Sequence, residues 1–369
     1  MNFISSKEDL LSAVQIVQRA VSHKSPLPIL SGIKFCAEND LLIVTATDLE
    51  IGIQCSVQAE IFEVGSVVLP AKYITEFFRR LPDVPIFIKS DPLTGNVSVK
   101  YGHSETNING FLAQEFPELP LPVSEVKFSV PEDILKEAIR QVVFAVAVEE
   151  SRPVFTGVLL EINGGEMQMA ATDTHRLAWR KLKFDDSNNI DINIIIPGKT
   201  LNELSKVIGR PEKEVDITVT DNQVLFSVED LCIISRLISG KFPPYRQVIP
   251  QGRVSRIRLI TRELAEAVER AALFTTAGSS FIKLLLQNNI LVVSVSTEVG
   301  RVYEEIPVYQ EGEPMQVAVN TRYLSEALKV LGSGEINIEF AGPLNPLVLK
   351  PVEGNDYLSL LLPVRIREE

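Results

Sequence analysis

The chain of 369 residues holds three histidines, His23, His103 and His175, and three cysteines, Cys36, Cys55 and Cys232. The histidines are far apart in sequence and none has a neighbour at metal-ligand spacing, so no metal site is predicted. His175 alone has an acid at a suggestive distance. Asp173 lies two positions earlier, where strand alternation puts both side chains on one face. Such a pair could serve a hydrolytic triad, but no Gly-x-Ser-x-Gly elbow accompanies it. No phosphate-binding loop, dinucleotide fingerprint, His-Glu-x-x-His or Cys-x-x-Cys pattern occurs either. The cysteines are an odd set, each inside a strand-like apolar run, and read as reduced sheet residues. The expectation is a protein that binds and does not catalyse, with no cofactor and no metal.

The stretch that would position Asp173 and His175 occurs three times. Ala46-Thr47-Asp48, Ala171-Thr172-Asp173 and Ser296-Thr297-Glu298 follow one another at steps of 125 and 125 residues. Each closes the second strand of a predicted hairpin, whose turns fall at Glu38-Asn39-Asp40, Asn163-Gly164-Gly165 and Asn288-Asn289. A helix opener repeats too: Leu69-Pro70-Ala71-Lys72, Ile196-Pro197-Gly198-Lys199 and Val319-Asn320-Thr321-Arg322. Six amphipathic stripes begin at Leu10, Ile74, Ile134, Leu201, Leu264 and Leu324, in nearly even steps. The helix after Pro131 is expected to bury Ile134, Ala138, Ile139 and Val142. Thr261 is expected as an N-cap and Gly209 as a C-terminal cap. Turn residues gather from Pro117 to Pro131 and from Pro243 to Arg256. The reading is an α+β protein of three similar domains, 1–124, 125–252 and 253–369. Each has two helices and roughly eight strands, arranged as two similar halves.

A chain that is 45% apolar and 23% charged, with no apolar run of about 18 residues, is read as soluble. Its N-terminus lacks a basic region leading into an apolar one, so a cytoplasmic location is expected, without membrane contact. The net charge of −12 alone argues against nucleic acid. Its distribution reverses that. The six helical segments hold 17 Lys or Arg against 14 Asp or Glu, so the acidic excess lies wholly elsewhere. The second helix of each repeat is the more basic, with Lys72, Arg79, Arg80, Lys199, Lys206, Arg210, Arg322 and Lys329 among its residues. A shared surface of this kind suits loose contact with phosphates, without base readout.

These features together resemble the bacterial DNA sliding clamp, the beta subunit family of DNA polymerase III. The resemblance rests on the threefold repeat, Leu69-Pro70-Ala71-Lys72, the segment Ala171-Thr172-Asp173-Thr174-His175-Arg176-Leu177-Ala178, the Gly240-Lys241-Phe242-Pro243 turn and the ending Leu362-Pro363-Val364-Arg365. It covers the whole chain. It implies a homodimer, two three-domain subunits closing head to tail into a ring. Helices side by side lie about 10 Å apart, so six in a circle leave a hole of about 10 Å and twelve about 28 Å. Only the larger admits a duplex, whose major groove alone is about 12 Å wide. The resemblance puts the seam at Ile108 of one subunit and Leu273 and Phe274 of the other, a heterologous contact that closes.

The resemblance also implies a groove between the second and third domains for a peptide carrying Gln followed by Leu and Phe. Thr172, His175, Arg176, Leu177, Pro243, Arg246 and Val248 would line it from the second domain. Phe281, Asn320, Tyr323, Leu344, Pro346, Leu360, Leu362, Pro363, Val364 and Arg365 would line it from the third. Leu177, Val248, Leu360, Leu362 and Val364 would form an apolar pocket, and His175, Asn320 and Tyr323 the polar groups. Leu362-Pro363-Val364 replaces a common Met-Pro-Met, exchanging two adaptable side chains for stiffer ones, which implies narrower partner preference. For duplex DNA, bound without regard to sequence, the resemblance adds Lys24 and Arg152 to Lys199. The implied partners are the DNA polymerase III alpha subunit, other clamp-motif proteins and a separate ATP-driven clamp loader. The rival readings are a hydrolase using Asp173 and His175, and a repeat-built interaction scaffold that encircles nothing.

Overall fold

The three hairpins share one local cause. Asn39 and Asp40, Gly164 and Gly165, and Asn288 and Asn289 all have φ between 48° and 77°. Two consecutive left-handed residues give a two-residue turn whose twist matches that of the strands, and Asn, Asp and Gly adopt it at least cost. The turns join Gly32–Glu38 to Leu41–Thr47, Gly157–Asn163 to Glu166–Thr172, and Phe281–Gln287 to Ile290–Thr297.

The computed structural model describes residues 1–22, 26–120, 126–149, 151–183, 190–276, 280–332 and 334–365. Among these are 26 strands and six α-helices. The helices are α1 (Lys7–Val17), α2 (Ala71–Arg80), α3 (Glu132–Val143), α4 (Gly198–Ser205), α5 (Thr261–Ala272) and α6 (Thr321–Leu331). None is long and apolar enough to cross a membrane.

The chain forms two compact units. One comprises Met1–Leu135 and Glu203–Leu237. It holds a five-stranded sheet ending at the edge strand Ser104–Asn109, and an eight-stranded sheet. The larger sheet joins two repeats, because Ile51–Gln58 pairs antiparallel with Leu231–Arg236 in the register Ile51 to Ser235 and Cys55 to Leu231. Leu10, Val14 and Val17 of α1 and Ile74 and Phe78 of α2 are all fully buried, as their helical spacing requires.

The other unit comprises Lys136–Asn202 and Ile238–Glu369. Its nine-stranded sheet fuses the next pair of repeats by setting Arg176–Lys183 against Tyr357–Leu361. Its four-stranded sheet ends at the edge strand Gly300–Pro307. Leu264, Val268 and Ala271 of α5 share one apolar cluster with Leu324, Ala327 and Leu328 of α6.

Three local expectations are corrected. In α3 Leu135 is buried and Ile134 is 43% exposed, so the buried stripe starts one residue later than the spacing suggested. Ile260, at the end of a strand, occupies the N-cap position of α5, while the Thr261 hydroxyl donates to the Gly334 carbonyl. Helix α4 stops at Ser205, and Gly209 lies beyond it at φ 121°, donating its N–H to the Glu132 carboxylate rather than closing the helix.

Candidate functional site

The segment from Thr172 to Leu177 is a tight corner held by its own side chains. The Thr172 hydroxyl donates to the Arg176 carbonyl at 2.6 Å. Asp173 Oδ1 accepts the N–H groups of His175 and Arg176, both at 3.0 Å, and Thr174 takes φ 77° between them. The other carboxylate oxygen of Asp173 accepts Arg176 Nε at 3.0 Å. Asp173 is thus committed to the backbone and to Arg176, and His175 stacks instead on Tyr323, ring centres 6.4 Å apart and 21° from parallel. This arrangement serves structure and not proton relay.

Arg176 is only 4% exposed. Its guanidinium is neutralised by Asp173 and by Glu326 of α6, and it lies 4.4 Å over the Tyr323 ring and 5.3 Å over Phe144. A buried cation is tolerable only with such partners, and the planar guanidinium can use carboxylates and aromatic faces together.

The chain end is stitched to this corner. Leu177 pairs with Leu360 and Arg176 with Leu361. The Leu362 N–H donates to the His175 carbonyl at 2.9 Å, and the Val364 N–H to the Ala318 carbonyl at 2.8 Å. The segments 172–177 and 360–364, both among the predicted groove residues, are therefore brought together. The expected apolar pocket differs in the burial of its members. Leu177 and Leu360 are 1% and 2% exposed, packed in one cluster with Phe242, Tyr245 and Val348, so they form a closed floor. Val248, Leu344 and Leu362 are instead exposed, at 53%, 63% and 39%. Thr172, Pro243, Phe281, Tyr323, Pro363 and Val364 are half-buried, and Arg365 is exposed. Pro346 lines a separate cavity with Gly252, Arg253 and Glu339. Asn320 caps α6, its Oδ1 accepting the Tyr323 N–H at 3.2 Å. Arg246 is held by Glu161 Oε2 at 2.7 Å and lies 5.0 Å over Tyr245. Burial and the same carboxylate push the Tyr245 hydroxyl pKa up.

Beside His175 opens a cleft of about 460 Å³, lined by Val148, Arg152, Arg322 and Tyr323 among others. Arg152, expected at DNA, lies here with the groove residues. Phe144, Val148 and Glu326 also meet this corner or cleft, with no signal in the sequence for that role. Arg322 and Glu326 at helical spacing were visible as a pair, but nothing local signalled that Glu326 also meets Arg176, 150 positions earlier.

The basic residues are more compensated than their sequence suggested. Glu76 takes Arg79 at 2.5 Å and Arg80 at 3.5 Å. Glu203 takes Lys206 at 2.7 Å and Arg19 at 3.1 Å. Arg210 meets Glu229 at 2.6 Å and Glu132 at 3.6 Å. Lys213 and Arg210 hold the Glu229 carboxyl below its usual range. Lys72 stands 5.7 Å over the Tyr73 ring. Lys199 is the second residue of α4, and Lys24 lies outside the described residues. Exposed pairs of this kind contribute little stability, so most of these cations are not tied into the fold by them. Arg210 is the exception. Glu132 is fully buried, accepting the Gly209 and Arg210 N–H groups at 2.7 and 2.8 Å, which ties Arg210 into the fold.

Comparison with known proteins decides what this geometry belongs to. Family models of the DNA polymerase III beta subunit match in three successive pieces, the N-terminal domain over residues 1–120, the central domain over 129–244 and the C-terminal domain over 246–365. The chain belongs to this family. The beta sliding clamp of Bacillus subtilis is 37% identical over 99% of this chain and 100% of its own length. That of Halalkalibacterium halodurans is 36% identical at the same coverage. The crystal structure of the Bacillus subtilis DNA polymerase sliding clamp superposes with a TM-score of 0.94 at 35% identity, covering all of both chains. The DNA polymerase III beta subunit of Pseudomonas aeruginosa gives 0.92 at 28%, covering 99% and 100%. The fold is thus that of three beta-clamp domains, helices on antiparallel sheets, and the function is that of a DNA sliding clamp. Of the residues expected at a clamp seam, Ile108 is half-buried on the edge strand Ser104–Asn109, Leu273 is 78% exposed just after α5, and Phe274 is half-buried against the core.

Proposed function

We propose that this sliding clamp works as a homodimeric ring around duplex DNA, held without regard to sequence, in the cytoplasm. The likeness to sliding clamps over 99% of the chain carries this reading. In it, the domains are 1–124, 125–252 and 253–369. Subunits join through the open edges Ser104–Asn109 and Gly300–Pro307, with Ile108 of one against Leu273 and Phe274 of the other. An unpaired strand edge with an apolar neighbour supports such a seam, since it offers backbone groups ready for pairing.

Partners dock in the groove around His175, Leu177, Val248, Tyr323 and Leu362. The DNA polymerase III alpha subunit and other clamp-motif proteins enter as an extended peptide whose Leu and Phe cover Val248 and Leu362, with His175 and the Asn320 amide for the Gln. The ring raises a polymerase's effective concentration at the primer end by topological linkage. It catalyses nothing and needs no cofactor, and a separate clamp loader supplies the energy of opening. Lys72, Arg79, Arg80, Lys199 and Lys206 meet phosphates.

Topology tests the reading. Protein loaded on a nicked circular duplex should co-elute with DNA through gel filtration and be lost once a restriction enzyme linearises the circle. Retention on the linear form would reject encirclement.

A further inference from the structure

The corner that builds the groove is repeated at the first repeat junction with its hydrogen bonds intact. The Thr47 hydroxyl donates to the Ile51 carbonyl at 2.9 Å, as Thr172 does to Arg176. Asp48 Oδ1 accepts the N–H groups of Glu50 and Ile51 at 3.0 and 2.8 Å, as Asp173 does those of His175 and Arg176. Leu49 and Thr174 share φ 77°. The neighbouring strands correspond as well: Ile51 pairs with Ser235 as Arg176 pairs with Leu361. The Arg236 N–H donates to the Glu50 carbonyl at 3.0 Å, as Leu362 does to His175 at 2.9 Å. This duplicate corner opens into a cavity of about 230 Å³.

We propose that this cavity is a second peptide-recognition site, taking a short extended segment with one aliphatic side chain beside basic ones. The proposal rests on the reading of the second junction as a peptide groove. Its chemistry follows from the exchanged residues. Where the groove has Leu177 as its floor, this site has Gly52, and the space is filled from the side by Leu119. A Cβ on residue 52 would lie 2.4 Å from Leu119 Cδ2. The floor is thus rebuilt from the Pro117–Pro120 segment, backed by Ile234 and Ile51, which are 5% and 2% exposed. What remains is smaller than the roughly 300 to 1,000 Å³ of small-molecule pockets, and suits one side chain with its backbone. At the mouth, Glu50 replaces His175, and exposed Glu118 joins it. Among the described residues lining the cavity, two carboxylates accompany one cation, Arg236, so the rim favours a basic segment, whereas His175 and Arg246 belong to the groove. The exchange of charge keeps the two sites from sharing ligands.

Fluorescence anisotropy on the intact protein tests this with two labelled probes, acetyl-Gly-Arg-Leu-Arg-Gly-amide and a groove peptide containing Gln, Leu and Phe. The arginine probe should bind about tenfold more tightly than its Leu-to-Ala version, as loss of a well-buried anchor implies. Glu50→Lys should weaken it about fivefold, the scale of one exposed ion pair. Gly52→Leu should remove binding by displacing Leu119 into the cavity. Glu50 is exposed, so its variant remains informative should Gly52→Leu fold poorly. The groove peptide should keep its affinity in both variants and should not displace the arginine probe. Equal binding of the arginine probe to wild type and Glu50→Lys, no preference for Leu over Ala, or displacement by the groove peptide would each overturn the proposal. A groove peptide that fails on the wild-type protein counts against the second-junction reading instead.

Discussion

The Arg176 guanidinium lies 4.4 Å over the ring of Tyr323, and through this contact the end of one repeat's strand is locked to the first turn of the next repeat's helix α6. His175 stacks on the same ring. The exposed surface of the groove is therefore set by a buried cation beneath it, neutralised by Asp173 and Glu326.

Arg176→Ala removes the cation of a buried charge cluster and takes from Asp173 its ion-pair partner, while Glu326 keeps Arg322. The expected cost is about 3 to 5 kcal/mol, read as a lowered urea midpoint, with groove-peptide affinity falling in parallel. Arg176→Lys keeps the charge but loses the planar fork, and should fall between the two. A midpoint for Arg176→Ala within error of wild type would show that the cluster does not hold the junction.

Val248 and Leu362 behave in the opposite way. Both are substantially exposed, at 53% and 39%, so truncating them to Ala removes little packing. If the groove is the docking site, each truncation should weaken a clamp-motif peptide by about tenfold with the unfolding midpoint unchanged. Unchanged peptide affinity in the double variant would put the docking site elsewhere.

These two contrasts mark what a sequence can and cannot reveal here. The 125-residue spacing of Asp48, Asp173 and Glu298 and the paired left-handed residues of each hairpin are local signals, and they located the repeats and turns. Which strands join across repeats is a non-local choice. Nothing in Ile51–Gln58 names Leu231–Arg236 as its neighbour. The burial of Leu177 and Leu360 follows from such a pairing, so spacing alone could not separate floor from rim. The sequestering of Arg210 by Glu132, 78 positions earlier, was hidden for the same reason.

Two thiols give a pH signature. Burial, then the Glu38 carboxylate it donates to at 2.8 Å, pushes the Cys36 thiol up to about 11 from an ordinary 9.0. Burial and then Asp230 raise Cys55 to about 11 as well. Folding therefore favours the protonated thiols. Their contribution to stability is complete below pH 9 and is lost as pH rises towards 11. Replacing both with Ala should flatten the fall of the urea midpoint across that window. At pH 8, iodoacetamide should label neither thiol in the native protein and both in urea, because the thiolate is the reactive form. Rapid labelling of Cys36 or Cys55 in the native protein, read by peptide mapping, would contradict their raised values.

The DNA-facing cations should separate into two kinds. Lys72 lies over Tyr73 on an exposed helix face. Lys72→Glu should weaken duplex binding and reduce the slope of log affinity against log salt by about one, leaving stability unchanged. Arg210→Glu would set a third carboxylate against Glu132 and Glu229, and should lower the unfolding midpoint first. Identical salt slopes for Lys72→Glu and wild type would remove Lys72 from the contact.

The seam supplies the last test. Leu273 is 78% exposed, an unusual placement for a leucine directly after an amphipathic helix, and Ile108 is half-buried on the open edge Ser104–Asn109. Each would be covered on forming the ring. Burying an aspartate at either position without a partner costs several kcal/mol, more than a modest seam can absorb. Leu273→Asp and Ile108→Asp should therefore each shift the protein from dimer to monomer in native mass spectrometry at micromolar concentration. Leu273→Asp should leave the unfolding midpoint of the isolated subunit unchanged, since Leu273 is 78% exposed there. Because a monomer cannot encircle a duplex, both variants should also lose retention on nicked circles while still binding the groove peptide. Dimers that survive both substitutions would place the seam on another surface.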